Sequence, residues 1–182
     1  MIDEDKMART IAARLERTEN PRHRRNLEVL LQHVTGEAER DVEKVMGSMA
    51  PDPVYRVWGA PESMSPRGWD GVRSFYERRL LEGERFFMEV DIEHLIVDDD
   101  AILTDSLLTS AVPGWYLNDP ASYPFGGLDV DPGDWYRMRY RMATIWPFVD
   151  GLIRGEEGYI FNVDVRPLTA AEHAELPESV RS

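Results

Sequence analysis

The chain has 182 residues, a formal charge of −13 and no cysteine. Its length suits one domain with a single buried core, and its acidity argues against nucleic acid or an anionic membrane surface as a partner. Without cysteine there are no disulfides, thiolate metal sites or cysteine nucleophiles. No apolar run approaches the roughly 20 residues of a membrane span. The opening residues, with Asp3, Glu4 and Asp5, are unlike a secretory signal, so a cytoplasmic location is expected.

Residues 1–25 carry seven Lys/Arg against five Asp/Glu, a net of +2 that leaves −15 on the remaining 157 residues. Met7, Ile11 and Leu15 share one helical face, which Asn20-Pro21 ends, so a basic helical arm is expected. It is suited to cross an acidic surface of its own domain or of a second subunit, or to fray into solvent. Residues 26–166 form the main domain. Leu27, Leu30, Leu31, Val34, Ala38, Val42, Val45, Met46 and Met49 fall in one broad apolar arc, with His33 at its edge. Gly36 permits a break near the middle, and Asp41 is either near a cap or inside the arc. Pro51-Asp-Pro53 ends the helical stretch, because proline lacks the amide donor and disfavours a helical residue before it. Val54–Trp58 follows as a short strand.

A Gly- and Pro-rich loop over 59–68 leads to a second amphipathic helix, with Val72, Phe75, Tyr76, Arg79 and Leu80 at helical spacing and Gly83 as its cap. Phe86–Val97 alternates, placing Met88, Val90, Ile92, His94 and Ile96 on one face. Ala101–Val112 is a strand whose Thr104, Asp105, Ser106, Thr109 and Ser110 require water or a polar cavity on one face. Residues 113–134 form a long loop whose Trp115, Tyr116, Tyr123 and Phe125 call for burial, as in a lid or partner contact. Trp135–Phe148 alternates strictly between Arg137, Arg139, Arg141 and Tyr136, Met138, Tyr140, Met142, Thr144, Trp146. The arginine row suits either an anionic ligand or acidic neighbours on the sheet, while the Tyr/Met/Thr/Trp face suits a pocket wall. Val149-Asp-Gly151 signals a hairpin turn, the last strand phases Tyr159, Phe161 and Val163 together, and 167–182 is an acidic tail.

Helices, a short strand, another helix and a meander of long strands give an α+β sheet curled around a helix-lined cavity. Asp41 with Val-Glu-Lys-Val-Met, Pro51 to Gly59 (Pro-Asp-Pro-Val-Tyr-Arg-Val-Trp-Gly), Gly68 to Tyr76, and Phe148-Val-Asp-Gly-Leu-Ile with Gly158-Tyr-Ile-Phe161 carry a resemblance to a known family. The chain resembles the SnoaL-like branch of the nuclear transport factor 2-like superfamily over roughly residues 26–165. The resemblance implies a cone-shaped α+β barrel, a curved mixed or antiparallel sheet wrapped around N-terminal helices with an internal pocket. It also implies a homodimer, no organic cofactor and no metal. Its enzymes include polyketide cyclases, ketosteroid isomerase, scytalone dehydratase and epoxide hydrolases, and the superfamily also has non-catalytic binders. Carried across from ketosteroid isomerase, the tyrosine donor falls at His33, the base near Arg56–Trp58 and the protonated aspartate near Thr144. The last two positions hold no carboxylate, so that isomerisation is not supported.

The expected activity is a cofactor-independent lyase or isomerase step on a small aromatic or cyclic substrate. His94 or His33 would act as general base. Asp105 would orient an imidazole, if cross-strand register brings it to His94. Tyr55, Tyr140 or Tyr159 would donate to a developing oxyanion. Trp58, Tyr76 and Trp146 would hold rings, with Thr144 in the pocket wall and Arg139 as an anion clamp. The competing expectation is a binder of small hydrophobic molecules with no chemistry. Scattered histidines without His-x-x-x-His or His-x-His spacing give no metal site, and no Gly-x-Ser-x-Gly elbow supports a serine nucleophile.

Overall fold

The computed structural model describes residues 2–60, 62–81, 87–119 and 126–176. The expected Gly83 cap, the strand start at Phe86, and Tyr123 and Phe125 lie outside them. Helix α1 (Lys6–Glu16) is followed by α2 (Pro21–Glu39), which opens with proline at its first position and with the Asn20 side chain accepting from the Arg22 and His23 amides. Both features satisfy the open amides of a first turn. Arg40, in a left-handed conformation at φ 59°, ends α2. Asp41 then caps the short α3 (Val42–Met46) by accepting from the Lys44 amide. The break therefore falls at Arg40, not Gly36. A Cβ on Gly36 would lie 2.9 Å from Val45, so this glycine lets α3 fold back against α2.

Strand β1 (Met49–Trp58) begins two residues before Pro51 and runs through the Pro51-Asp-Pro53 element, so Met49 belongs to the strand and not to the helical arc, and α4 (Gly68–Tyr76) runs into one wide π turn over Glu77–Leu81. The remaining strands are β2 (Phe87–Val97), β3 (Ala101–Pro113), β4 (Trp135–Val149) and β5 (Leu152–Pro167). Together they make a five-stranded mixed sheet in the order β1-β5-β4-β3-β2, antiparallel except where β1 joins β5 in parallel. The sheet does not close, since β1 and β2 are its edges. Asp150 and Gly151 turn between β4 and β5 with positive φ of 52° and 73°, the mirror-image turn that matches strand twist.

The inner face of the sheet packs on the helices. Leu27, Leu30, Val72, Tyr76, Ile102 and Ile153 are buried in one cluster, and α1 joins it through fully buried Ile11. Each such aliphatic side chain contributes about 1.5–3 kcal/mol by leaving water. Lys6 ties the arm down through ion pairs to Glu89 (2.7 Å) and Asp91 (3.0 Å) on β2. A second cluster, with Leu108, Val112, Leu117, Tyr136, Met138 and Tyr140, lies at the other end of β3 and β4.

Within 113–134, α5 (Gly114–Asn118) is helical, and the Asn118 amide bridges the Val130 backbone at 2.9 and 3.1 Å, so the segment folds back on itself. Trp115 is exposed rather than buried. After β5, the acidic stretch forms α6 (Ala170–Ala174) with a reciprocal Thr169–Glu172 cap. Among the described residues, no helix is long and apolar enough to cross a membrane.

Candidate active site

Between the two clusters lies a cavity of about 130 Å³. Alternation on β4 turns Met138, Tyr140, Met142, Thr144 and Trp146 into it, and alternation on β3 turns Thr104, Ser106, Leu108, Ser110 and Val112 into it. Tyr55 and Val57 come from β1, Tyr76 and Arg79 from α4 and its π turn, Tyr116 from α5, and Met7 from α1.

Two carboxyl groups stand in this wall. Glu37 lies one helical turn after His33 on α2, and Glu156 lies beside Tyr55 in the β1–β5 register. The Glu156 carboxyl makes no hydrogen bond or ion pair among the described residues. Its pKa is raised to about 8, first by desolvation and then by the like charge of Glu37, with Arg79 opposing. Glu156 therefore holds its proton at neutral pH. The Arg79 guanidinium sits 5.1 Å from the centre of the Phe75 ring.

Behind the wall runs a hydrogen-bonded chain of side chains. Tyr55 Oη meets Tyr76 Oη at 2.7 Å, Tyr76 Oη meets His33 Nε2 at 3.0 Å, and His33 Nδ1 meets Ser48 Oγ at 2.8 Å. Ser48 donates onward to the Val45 carbonyl at 2.5 Å. A carbonyl only accepts, so Ser48 spends its proton there and accepts from His33 Nδ1–H. His33, kept neutral by burial, then offers Nε2 as acceptor to Tyr76, and Tyr76 accepts from Tyr55. At the far end the Met49 thioether lies 3.8 Å from Tyr55 Oη, too weak an acceptor to reverse this direction. Burial also pushes both tyrosine pKa values well above the usual range, so both remain hydroxyls. His33 is fully buried behind Tyr76 and edge-on to Trp146 at 5.5 Å, not at the border of the apolar face, because the sheet covers the side of α2 that a wheel leaves open.

The other histidine lies outside. Ile92 pairs with Ser106 but His94 pairs with Asp105, so one extra residue bulges at Glu93 and reverses the alternation. Met88 and Val90 face the cavity, Leu95 and Val97 pack on the core, and His94 and Ile96 face outward. His94 does meet Asp105, at 3.1 Å, yet its side chain is 66% exposed. Arg141 grips the same Asp105 at 2.8 and 2.5 Å and Glu93 at 2.8 Å, and this Arg141 contact chiefly holds the Asp105 carboxyl below its usual range.

Four further expectations are corrected in the same way. Arg139 is exposed on the outer face beside Asp164, and Arg137 pairs with Asp164 at 3.6 Å. Trp58, on the outward phase of β1, is 46% exposed and stacks on Tyr159 at 6.0 Å. Tyr159 and Phe161 point outward because the register of β5 against β4 shifts twice, between Ile153 and Glu157 and again around Asn162, which has φ 53°. Tyr55, Tyr76, Tyr140, Thr144 and Trp146 line the cavity.

Sequence reasoning missed Glu37, Glu156 and Arg79 as a set. The available signals were Glu37 four residues after His33 and the alternation of Glu156, Gly158 and Ile160. Phasing β5 on its aromatics concealed the latter.

No protein-family model and no curated protein matches this chain. Solved structures do match. A putative SnoaL-like polyketide cyclase from Shewanella denitrificans superposes with a TM-score of 0.58 at 13% identity, covering 75% of this chain and 90% of that one. The chain has the SnoaL-like, nuclear transport factor 2-like fold. An epoxide hydrolase-like protein of Mycobacterium tuberculosis (TM-score 0.52, 18% identity, 75% and 83% coverage) and a nuclear transport factor 2-like protein of unknown function from Burkholderia pseudomallei (0.52, 14%, 75% and 91%) share it. At these identities the likeness shows the fold alone.

Proposed function

We propose that the protein is a general acid–base catalyst, of lyase or isomerase type, acting on a small neutral cyclic molecule. The observation that carries this reading is Glu156, a carboxyl group in a largely apolar cavity wall, without a partner and protonated at neutral pH. A group poised this way gives up a proton to a substrate oxygen without needing an external acid. Glu37, the second carboxyl of the wall, is placed to receive the proton that leaves carbon. Arg79 then stabilises charge on oxygen. With Glu156 protonated, the Glu37 carboxylate and the Arg79 guanidinium balance, which suits a neutral substrate. The volume suits a single ring, since a cavity of about 150 Å³ accommodates benzene.

The test is a panel of small cyclic alcohols, ketones and hydroxyketones incubated with the protein in deuterated water and followed by NMR. The wild-type chain is expected to exchange or convert at least one class. Glu156→Gln, which mimics the protonated group in size and charge, is expected to slow this by about 10²-fold or more. A protein that binds members of the panel and returns every one unchanged, without deuterium, would be a binder and not an enzyme.

A further inference from the structure

The serine and threonine hydroxyls of the cavity divide into one that is used and three that are not. Thr104 accepts from the Trp146 indole at 3.2 Å. Ser106, Ser110 and Thr144 are only 3%, 3% and 5% exposed, line the cavity, and make no side-chain hydrogen bond among the described residues. A buried hydroxyl without a partner is destabilising, so each calls for a partner, and the cavity is the side from which one can come.

Their spacing is set by register. Thr104 pairs with Thr144 and Ser106 pairs with Met142, which makes Ser106 the diagonal neighbour of Thr144 on the inner face. Diagonal neighbours lie about 7–8 Å apart. Hydrogen bonds of about 2.8 Å from each hydroxyl leave roughly 1.5–2.5 Å between the two atoms they hold when the bonds lie in line, and more as they bend. Oxygens on adjacent carbons of a ring fit that gap with little bending of the hydrogen bonds, and oxygens on opposite sides of a ring require far more. Ser110 is four residues further along β3, about 13 Å from Ser106, and belongs to the methionine-lined end. Thr144 pairs with Gly158, two residues from Glu156 along the inward phase of β5, so oxygens held here lie on the side of the Glu156 proton. Leu108, Tyr140 and Met142 provide the apolar surface for the rest of the ring.

We propose that Ser106 and Thr144 form a subsite for two neighbouring oxygens, and that the ligand is a neutral ring oxygenated on adjacent carbons. The proposal rests on the small-molecule cavity described above and specifies what it accepts. Catechol, phenol and hydroquinone are suitable probes, read by calorimetric titration against the full chain. Catechol is expected to bind more tightly than hydroquinone by about 10-fold. Ser106→Ala and Thr144→Val are each expected to weaken catechol by about 5-fold while leaving phenol within about 2-fold, and Thr144→Ser is expected to restore catechol binding.

Equal binding of catechol and hydroquinone would overturn the subsite. So would variants that weaken phenol as much as catechol, as expected if the hydroxyls hold only water, or a wild-type chain that binds none of the three. Glu156→Gln separates this proposal from the catalytic reading. A variant that loses turnover and keeps the catechol preference supports both. One that keeps full turnover and the preference removes the acid–base role of Glu156 and leaves the subsite standing.

Discussion

The two faces of one sheet handle polar groups in opposite ways. On the outer face, most of the charged side chains named above are matched: Arg141 holds Asp105 and Glu93, Arg137 lies 3.6 Å from Asp164 through one nitrogen while its Nε has no partner among the described residues, and Arg56 lies 3.9 Å from Glu157. On the inner face, a carboxyl group and three hydroxyls meet no protein partner among the described residues. The same strands supply both sets by alternation. Paired groups on a wet surface contribute little and signal structure, whereas unpaired groups in a buried wall cost stability and signal a ligand.

This contrast is sharpest at Glu156, where the largest effect is expected. Glu156→Gln should lower turnover by about 10²-fold or more and leave the secondary structure intact by circular dichroism. It should also change the stability profile. The Glu156 pKa is raised from 4.5 to about 8 in the folded chain. Between those values the native state binds the extra proton, so Glu156 contributes stability at low pH that is lost as pH rises towards about 8. Denaturation curves across this window should fall with pH in the wild type and lose that component in the glutamine variant.

Next in size is the chain behind the cavity. Tyr76→Phe removes the hydroxyl that joins Tyr55 to His33, leaving a buried imidazole nitrogen without a partner and the Tyr55 phenol with only the weak Met49 thioether. A loss of about 1–3 kcal/mol in urea denaturation is expected. Retention of full stability would show that these hydrogen bonds are not the ones that matter.

The smallest effects should come from the outer face. Arg141→Ala should cost about 1 kcal/mol or less. His94→Gln should leave turnover unchanged, because the imidazole faces solvent on the far side of the sheet from Glu156. A His94→Gln variant with strongly reduced turnover would contradict the division between the faces.

What could be read from the sequence follows the same geometry. The Trp135–Val149 strand keeps one unbroken alternation along its inner wall, so Tyr140, Thr144 and Trp146 were legible as cavity residues, and its arginines as candidates for acidic pairing. The α+β order and the helix phases were legible for the same reason, because they depend on local periodicity. The phases of His94 and Tyr159 were not. A residue inserted at Glu93 and register shifts in β5 between Ile153 and Glu157 and around Asn162 reverse the faces of two strands, and a bulge is set by pairing with a neighbouring strand rather than by local composition. Asn162 in mid-strand was a hint, since asparagine is depleted in strands; nothing in Phe87–Val97 marks Glu93. Glu37 and Glu156 stayed hidden because glutamates are ordinarily solvated, and only the fold shows that these two share one enclosed space.

The most direct measurement is a carboxyl ¹³C NMR titration of the full chain, with Glu156 assigned by comparison with Glu156→Gln. A midpoint near 8 is the expected result and establishes a proton held in the cavity at neutral pH. A midpoint near the ordinary 4.5 would mean that Glu156 is solvated like the acids of the outer face, and the acid–base account would fail.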